Sequence, residues 1–220
     1  MENKQDPLKI WVSDFGKEYT NRNHQDIEKM DVELGEYCGC GRKSHLFQQF
    51  LPTQRISVGG VLEVGSNVGT QLKILQKVNP ELSLYALEPQ AYAIDKGKEL
   101  FPDINFIQGN ALSLPYADNS FEVVMTNTVL IHIQPAILPI VMAEIYRCCI
   151  KYIHFHEYYA ESVTSVNYRE YDGILWKTDF MKIYLELFPD LVCVNQRLLH
   201  YRDPENGQAL VDQVCLLEKK

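Results

Sequence analysis

Short apolar runs alternate with segments of helical spacing through the middle of the chain, and this alternation restricts the fold more than any other feature. Each apolar run has the length of a buried strand. The runs lie at 60–65, 82–88, 104–109, 121–127 and 152–159, and the helical segments at 70–78, 90–100 and 135–149. Strands that alternate with helices form βαβ units with right-handed crossovers. We therefore predict an α/β fold with a doubly wound, mostly parallel sheet.

The two ends of the chain depart from this alternation. Residues 1–57 are polar and irregular, with helical stretches expected around 24–33 and 43–51. We predict that 1–57 is a helical arm that lies as a lid over a domain formed by 58–220.

The C-terminal part of the chain continues the domain with a different connectivity. A polar insertion at 160–174 precedes a predicted helix at 176–188. Two apolar runs follow at 191–201 and 208–219, joined by the short segment RDPENG. Because a turn this short joins antiparallel neighbours, we predict an antiparallel C-terminal strand.

Charge and apolar content restrict the partners of this chain. The net charge is −8, and no cluster of lysine and arginine is evident, which argues against nucleic acid and favours a small-molecule substrate. No apolar run approaches the roughly 18 residues of a membrane helix, and the N-terminus lacks the apolar core of a signal peptide. We expect a cytoplasmic protein, monomer or homodimer, with no membrane association and with reduced cysteines.

Two cysteines lie close together near residue 40, in the segment YCGCGR. Cys38 and Cys40 are separated by one residue, whereas zinc pairs are usually separated by two or more, and no second close pair follows. We therefore predict no metal site.

The segment VLEVGSNVGT at 61–70 carries the clearest functional signal. A buried strand contains an acid, Glu63, and ends in a turn with Gly65 and Gly69. An unpaired buried acid is costly, so Glu63 should have a partner. Glycines permit a sharp turn and let a ligand approach the backbone. Because ligands of open α/β sheets bind at the carboxyl ends of the strands, we predict a ligand site at this turn.

The neighbouring strand ends add groups that suit a nucleoside. Glu88 ends the second strand, where an acid accepts hydrogen bonds from ribose hydroxyls, and Asn110 follows the third. NAD is one candidate, but its G-x-G-x-x-G pattern is absent, since the turn reads E-x-G-x-x-x-G. A phosphate-binding P-loop is excluded because no G-K-[ST] follows.

The turn, the acid and the asparagine, taken in order, resemble the cofactor site of class I S-adenosylmethionine-dependent methyltransferases. The resemblance implies a Rossmann-like seven-stranded sheet, with S-adenosyl-L-methionine as cofactor and S-adenosyl-L-homocysteine as product. It also implies that the methionine part lies at Glu63 and the glycine turn, the ribose at Glu88, and the adenine between Asn110 and Ala111. The predicted cofactor residues are Glu63, Gly65, Ser66, Asn67, Gly69, Glu88, Pro89, Asn110, Ala111, Asn127 and Thr128.

Motifs outside this site carry a closer resemblance. They are WVSDFGKEYTNRN at 11–23, VLIHIQP at 129–135, EYY at 157–159, VNYREYDGILWKTDF at 166–180, and FPDL with HYRD within 188–203. Together they look like the pseudaminic acid biosynthesis-associated methylases, and the match spans nearly the whole chain. The resemblance implies methyl transfer to a sugar or nonulosonic acid intermediate of bacterial surface glycan biosynthesis. An N- or carboxyl-methyltransferase acting on another small metabolite and a non-catalytic cofactor-binding relative are the alternatives.

The methyl acceptor and a base should meet at the same edge of the sheet. The candidate bases His132, His156 and Glu157 follow the fourth strand or end the fifth. An arginine in the insertion would suit a sugar-acid carboxylate or a phosphate. The predicted substrate residues are Trp11, Phe15, Tyr19, Arg22, Asn23, Tyr158, Tyr168 and Arg169.

Overall fold

The fold is built around one large sheet. The computed structural model describes residues 6–22, 26–37, 39–56, 60–168, 171–203 and 207–220. Its strands are β1 (Val61–Val64), β2 (Leu84–Glu88), β3 (Asn105–Gln108), β4 (Phe121–Asn127), β5 (Cys149–Tyr158), β6 (Thr164–Ser165), β7 (Trp176–Lys177), β8 (Leu191–Arg202) and β9 (Ala209–Lys219). Its helices are α1 (Pro7–Trp11), α2 (Asp14–Arg22), α3 (Ile27–Tyr37), α4 (Lys43–Phe50), α5 (Thr70–Val78), α6 (Ala91–Leu100), α7 (Leu138–Cys148) and α8 (Phe180–Leu187).

Seven strands form the main sheet in the order β3-β2-β1-β4-β5-β9-β8. β9 is antiparallel to both of its neighbours, β5 and β8, and the other strand pairs of this sheet are parallel. This confirms the predicted doubly wound sheet with an antiparallel C-terminal strand. The chain reverses its direction of winding between β1 and β4, so the topological switch point lies at the carboxyl ends of these two strands.

Apolar side chains cover the sheet on both faces. Alternate residues of one strand point to opposite faces, so Val61 packs with α4 and α5 while Leu62 packs with α7. Phe47 of α4 and Tyr184 of α8 are fully buried, one in each of the two cores. Burial on both faces explains why these strands read as continuous apolar runs rather than alternating ones.

A buried acid, Asp31, ties α3 to the helices beside it. Its carboxylate accepts hydrogen bonds from the Ser44 amide at 2.7 Å, the Ser44 hydroxyl at 2.8 Å and the Lys77 ammonium at 2.8 Å. Burial raises the pKa of Asp31, but the bonds from Lys77 and Ser44 outweigh it and leave the pKa below its ordinary value. Asp31 therefore joins α3 to α4 within the N-terminal segment and to α5 of the sheet domain.

The N-terminal segment contains more helix than the sequence predicts. α1 and α2 were expected to be irregular, and α3 extends to Tyr37 rather than ending at residue 33. α1 begins because Asp6 caps it, accepting a hydrogen bond from the Leu8 amide, and Pro7 stands at its first position. These short polar helices lack a strong apolar period, so their packing rather than their pattern stabilises them.

Two predicted helices in the second half have wrong boundaries. The helix expected at 176–188 begins only at Phe180, because Asp179 caps it through the Lys182 amide. Residues Trp176–Lys177 instead pair with Thr164–Ser165, so β6 lies within the predicted polar insertion and β7 just beyond it. The helix expected at 135–149 begins at Leu138, and Cys149 already belongs to β5.

No helix in the part of the chain that the structure describes is long and apolar enough to cross a membrane. The described residues also contain no group of three or more histidine, cysteine, aspartate or glutamate side chains placed to hold a metal. Cys38 lies outside the described residues, and the Cys40 thiol donates a hydrogen bond to the carbonyl oxygen of Arg42 at 3.5 Å.

Candidate active site

A cavity of about 260 Å³ lies at the carboxyl ends of β1, β2 and β4, at the topological switch point, where open α/β sheets bind their ligands. Side chains of α1, α2 and α3 close it from above. The predicted cofactor residues on its wall are Glu63, Gly65, Ser66, Asn67, Glu88, Pro89, Asn110, Ala111, Asn127 and Thr128. Of the predicted substrate and catalytic residues, Trp11, Tyr19 and His132 line it.

The turn between β1 and α5 needs its glycines for backbone shape and packing. Gly65 and Gly69 have φ of 74° and 84°, in the left-handed region that favours glycine. A Cβ on Gly65 would lie 2.7 Å from a methyl group of Val129, and one on Gly69 would lie 3.0 Å from Phe106. Sequence reasoning attributes both glycines to the sharp turn and to the approach of a ligand. The structure adds a packing reason, because neighbouring side chains fill the space beside both glycines; Gly65 lines the cavity and Gly69 does not.

Glu88 is held in place at the end of β2 by two backbone amides. Its Oε2 accepts a hydrogen bond from the Asn67 amide at 2.9 Å, and its Oε1 accepts one from the Gln90 amide at 2.9 Å. Burial raises the pKa of Glu88, and these two bonds oppose the rise. Each carboxylate oxygen keeps a further lone pair, so Glu88 can accept two more hydrogen bonds from a ligand in the cavity.

Glu63 is only 1% exposed, and half of its carboxylate is unsatisfied. Oε1 accepts a hydrogen bond from the Asn127 side-chain amide at 3.2 Å, whereas Oε2 has no partner among the described residues. Burial raises the pKa of Glu63 to about 8. The partner that the sequence leads us to expect is therefore only partly supplied by the protein.

Other unsatisfied polar atoms surround the same cavity. Within the described residues, buried side-chain atoms without a hydrogen-bond partner occur on the cavity wall at Trp11 Nε1, Glu63 Oε2, Thr70 Oγ1, Gln71 Oε1 and Asn127 Oδ1. Buried polar groups are normally paired, because an unpaired one costs about 1–3 kcal/mol. Their concentration on one wall indicates a polar ligand that completes these bonds.

His132 ends a single 3₁₀ turn, Leu130–His132, that follows β4. Its Nδ1 lies 2.8 Å from the carbonyl oxygen of Ile174. Since a carbonyl only accepts, Nδ1 carries the hydrogen and Nε2 keeps its lone pair. Burial lowers the pKa of His132 to about 4, so the ring is neutral at pH 7.

Four aromatic rings stand together at this part of the site. Trp11 contacts His132 and Tyr19 edge to face, with ring centroids 4.6 and 5.1 Å apart. Tyr168 of the insertion contacts His132 from the other side at 5.5 Å. We call Trp11, Tyr19, His132 and Tyr168 the aromatic wall. Phe15 lies behind it, between Trp11 and Tyr171.

Gln90 fastens α1 and α2 over the cavity, and sequence reasoning missed it. Its side-chain amide donates to the carbonyl oxygens of Trp11 at 3.2 Å and Ser13 at 3.1 Å, while its oxygen caps α6. A second link joins the Asn67 amide to the Thr20 hydroxyl at 2.9 Å. The position of Gln90 at the start of a predicted helix indicated a cap, but nothing local indicated the contact with residue 11.

Glu157, a predicted base, does not reach the cavity. It is fully buried, and its carboxylate accepts hydrogen bonds from the backbone amides of Val129 at 3.1 Å and Ile131 at 3.4 Å. Burial raises the pKa of Glu157 to about 7. These contacts make Glu157 the support of the loop that presents His132.

His156, the other predicted base, is also buried away from the cavity. Its Nδ1 lies 2.5 Å from the Lys43 ammonium, and its Nε2 lies 2.7 Å from the Asp212 carboxylate. The Tyr201 hydroxyl donates to the second Asp212 oxygen at 2.8 Å. Burial, and then the charge of Lys43, lower the pKa of His156. The imidazole thus bridges a buried cation and anion.

The remaining predicted substrate residues lie at or beyond the edge of the site. Arg22 is exposed, with its guanidinium carbon 5.7 Å from the centre of the Tyr19 ring. Tyr158 is half-buried at the end of β5, and the Lys177 ammonium lies 5.2 Å from its ring centre. Asn23 and Arg169 fall outside the described residues.

Comparisons with known proteins place this architecture. Residues 61–151 match the protein-family model described as a methyltransferase domain. The fold resembles that of magnesium protoporphyrin IX methyltransferase from Synechocystis, solved with bound SAM, at a TM-score of 0.68 and 10% identity over 100% of both chains. The chain has the class I methyltransferase fold. The Burkholderia thailandensis 1,6-didemethyltoxoflavin-N1-methyltransferase, solved with 1,6-didemethyltoxoflavin and S-adenosylhomocysteine, shares the fold at a TM-score of 0.67 and 14% identity, covering 98% of this chain and 91% of that one.

Curated sequences add a short match of the same kind. The chain is 30% identical over 92 residues to an uncharacterized methyltransferase of Schizosaccharomyces pombe, which covers 37% of this chain and 33% of that protein. The matches thus span only about a quarter to a third of the curated relatives' length. Together these findings support the predicted methyltransferase domain, with S-adenosylmethionine as its cofactor. The closer resemblance to pseudaminic acid-associated methylases stays a prediction.

Proposed function

We propose that this protein is an S-adenosylmethionine-dependent methyltransferase that acts on a small molecule. The observation that carries the proposal is the unsatisfied carboxylate oxygen of Glu63, which is buried on a cavity at the switch point of a class I methyltransferase fold. A buried carboxylate with a free oxygen suits an ammonium group. Both acids of the predicted cofactor site are present on the cavity wall, which supports cofactor binding, and labelled methyl transfer separates a catalytic protein from the non-catalytic cofactor-binding alternative.

The residues of the cavity wall fit the parts of this cofactor. Glu63 and Asn127 would hold the ammonium of the methionine part, and Glu88 would accept hydrogen bonds from the ribose hydroxyls. Asn110 and Ala111 would flank the adenine. The Asn110 side-chain oxygen accepts a hydrogen bond from the Leu112 amide at 2.9 Å, which leaves its NH₂ group to donate to a base edge.

The chain itself contributes alignment, exclusion of water and an acceptor for hydrogen. The bound cofactor supplies an electrophilic methyl group on a sulfonium. α1 and α2 close over the cavity, which keeps water away and fixes the direction of approach. Nε2 of His132 keeps a lone pair on the cavity wall and can accept a hydrogen bond or a proton from the attacking group.

The finer acceptor assignment rests on the sequence resemblance. This resemblance implies that the methyl acceptor is a sugar or nonulosonic acid intermediate of bacterial surface glycan biosynthesis. The alternative is that the protein is an N- or carboxyl-methyltransferase that acts on another small metabolite. A methylation screen with labelled cofactor separates them. It would compare nonulosonic acids, their nucleotide-activated forms and amino sugars, each against its N-acetylated or esterified counterpart.

Calorimetry with S-adenosylhomocysteine tests the core of the proposal. We expect saturable binding in the micromolar range, as is ordinary for a product of this kind, and absence of binding at about 1 mM ligand would refute the proposal. Glu88→Ala should weaken binding by about tenfold or more, since it removes the acceptor of two hydrogen bonds. Glu99→Ala, at an exposed position of α6, is the matched control and should bind as the wild type does.

A further inference from the structure

The cavity wall holds two acidic side chains without a matching basic one. Glu63 and Glu88 both line it, and no lysine or arginine occurs among the described residues of its lining. The buried cation whose charge reaches Glu63 is Lys43. Lys43 does not line the cavity, and its ammonium is bonded to His156, which in turn bonds Asp212.

This charge distribution is unfavourable for an anionic acceptor. The cofactor carries two positive groups and one carboxylate, so it brings one net positive charge to a wall that carries two carboxylates. Binding of the cofactor ammonium restores the ionised form of Glu63, because an opposite charge within a few ångströms stabilises the carboxylate. The loaded site therefore keeps a net negative wall in a water-poor environment, where unmatched charge counts for more than it does in water.

The aromatic wall adds a second, independent preference. With the adenosine and methionine parts placed as proposed above, the rest of the cavity lining includes Trp11, Tyr19 and His132, and Tyr168 contacts His132. Aromatic rings attract ammonium groups through their negative faces. Within this wall, Nε2 of His132 keeps a lone pair that can accept a hydrogen bond from an N–H group of the partner.

We propose that the methyl acceptor is a small molecule bearing a primary or secondary amine, which binds as an ammonium against the aromatic wall in a site that stays net negative when the cofactor is bound. The inference rests on the proposed function and names the acceptor class of the same site. An amino sugar with a free amine satisfies both this inference and the sequence resemblance. An acceptor whose reactive end is a carboxylate or phosphate does not.

The transfer then needs no strong base. The ammonium gives up one proton to water, and Nε2 of His132 accepts a hydrogen bond from a remaining N–H, which turns the nitrogen lone pair towards the methyl group. The nitrogen–carbon bond forms while the carbon–sulfur bond breaks, and the electron pair of that bond stays on sulfur as S-adenosylhomocysteine. The methylated product leaves as an ammonium or loses its added proton to water. A hydroxyl acceptor would need a stronger base than an imidazole whose pKa burial lowers to about 4.

Three probes of one shape and different charge test the inference: 2-phenylethylamine, 2-phenylethanol and phenylacetate. Their binding is measured by calorimetry on the protein saturated with S-adenosylhomocysteine. We expect the amine to bind about tenfold or more tighter than the carboxylate, with the alcohol between them. Labelled methyl transfer from S-adenosylmethionine should be detected on the amine alone.

The same experiment separates this inference from the proposed function. If S-adenosylhomocysteine itself does not bind, the proposed function fails. If it binds while phenylacetate equals or exceeds the amine, or while the amine shows no binding at about 10 mM, only the acceptor class is refuted.

Variants of the two tryptophans provide the matched comparison. Trp11→Leu should weaken amine binding by about 3- to 30-fold, as expected for loss of a cation–π contact. Trp176→Leu replaces a residue of β7 that does not line the cavity and should leave amine binding unchanged. Tyr19→Leu serves if Trp11→Leu does not fold, which thermal unfolding with S-adenosylhomocysteine will show. Equal amine affinity in wild type and in the folded wall variant would refute the role of the aromatic wall.

Discussion

Replacing Glu63 by glutamine should stabilise the empty protein while weakening its hold on the cofactor. Glu63→Gln keeps the size of the side chain and an oxygen that can accept from the Asn127 amide, and removes only the charge. Because the carboxylate is buried and half unsatisfied, a charge on Glu63 destabilises the folded protein when the cavity is empty. The same charge strengthens binding when an ammonium lies beside it.

The stability effect follows from the pKa of Glu63, which burial raises from 4.5 to about 8. Below the unfolded value of 4.5 the group is protonated in both states, so the raised pKa carries no penalty there. As the pH rises towards 8, the unfolded chain ionises and the folded one does not, so stability is lost. At pH 7 the loss is about 3 kcal/mol, since each pKa unit corresponds to about 1.4 kcal/mol.

The same substitution should weaken the binding of S-adenosylhomocysteine. Breaking a buried ion pair by removing one partner costs about 3–5 kcal/mol. In the wild type, Glu63 must ionise before it can pair with the ammonium, and at pH 7 this reduces the favourable binding free energy by about 1.4 kcal/mol, because the pH lies about one unit below the pKa of Glu63. The net loss of about 2–4 kcal/mol corresponds to a 30- to 1,000-fold weaker affinity for S-adenosylhomocysteine.

Urea unfolding of the empty protein and calorimetry with S-adenosylhomocysteine measure the two effects. The stability advantage of Glu63→Gln over wild type should grow by about 2–3 kcal/mol between pH 5 and pH 7, and other titrating groups cancel in this difference. Glu99→Gln, at an exposed site on α6, is the control for loss of one negative charge. A variant less stable than wild type at pH 7 with unchanged affinity would contradict both the burial argument and the role of Glu63.

Three further substitutions test the frame around the cavity. Gly65→Ala should lower the free energy of unfolding by about 2–4 kcal/mol, and Gly173→Ala by only about 1–2 kcal/mol, as measured by thermal unfolding. Both glycines have positive φ, but an added Cβ would meet a neighbouring side chain only at Gly65. Equal losses would contradict the packing reason. Gln90→Ala should loosen α1 and α2, which limited proteolysis would show as faster cleavage within residues 6–22, and an unchanged cleavage rate would contradict the fastening role. Asp31→Asn should lower the free energy of unfolding by about 3 kcal/mol at pH 7. The loss should shrink as the pH falls through the lowered pKa of Asp31, because protonation of Asp31 weakens its hydrogen bonds in the wild type as well. A loss that does not depend on pH would contradict the role of the charged hydrogen bonds.

Much of this site was accessible from local pattern alone. The alternation of strands and helices determined the sheet, and the carboxyl ends of parallel strands necessarily meet at one edge. For that reason Glu63, the turn after β1, Glu88 and Asn110 could be assigned to one cavity without knowing any contact, and the structure places them on one wall. Their assignment to strand ends depends only on the pattern of residues within a few places of them in the chain.

Tertiary structure alone decided which of the groups at β4 and β5 could take part in chemistry. His156 and Glu157 are adjacent in sequence but point to opposite faces of β5. His156 is engaged by Lys43 and Asp212, 113 and 56 residues away. Glu157 supports the loop of His132, 25 residues earlier in the sequence, through backbone amides that no sequence pattern marks.

Tertiary structure alone also decided where the aromatic wall lies and how Gln90 holds it in place. The Gln90 side chain reaches the carbonyl oxygen of Trp11, 79 residues earlier, and Trp11 then packs on His132. Sequence periodicity reports which face of an element is apolar, but it does not report which distant element covers that face. The cofactor end of this protein was therefore readable from its sequence, whereas the acceptor end exists only after the N-terminal helices have packed across the sheet.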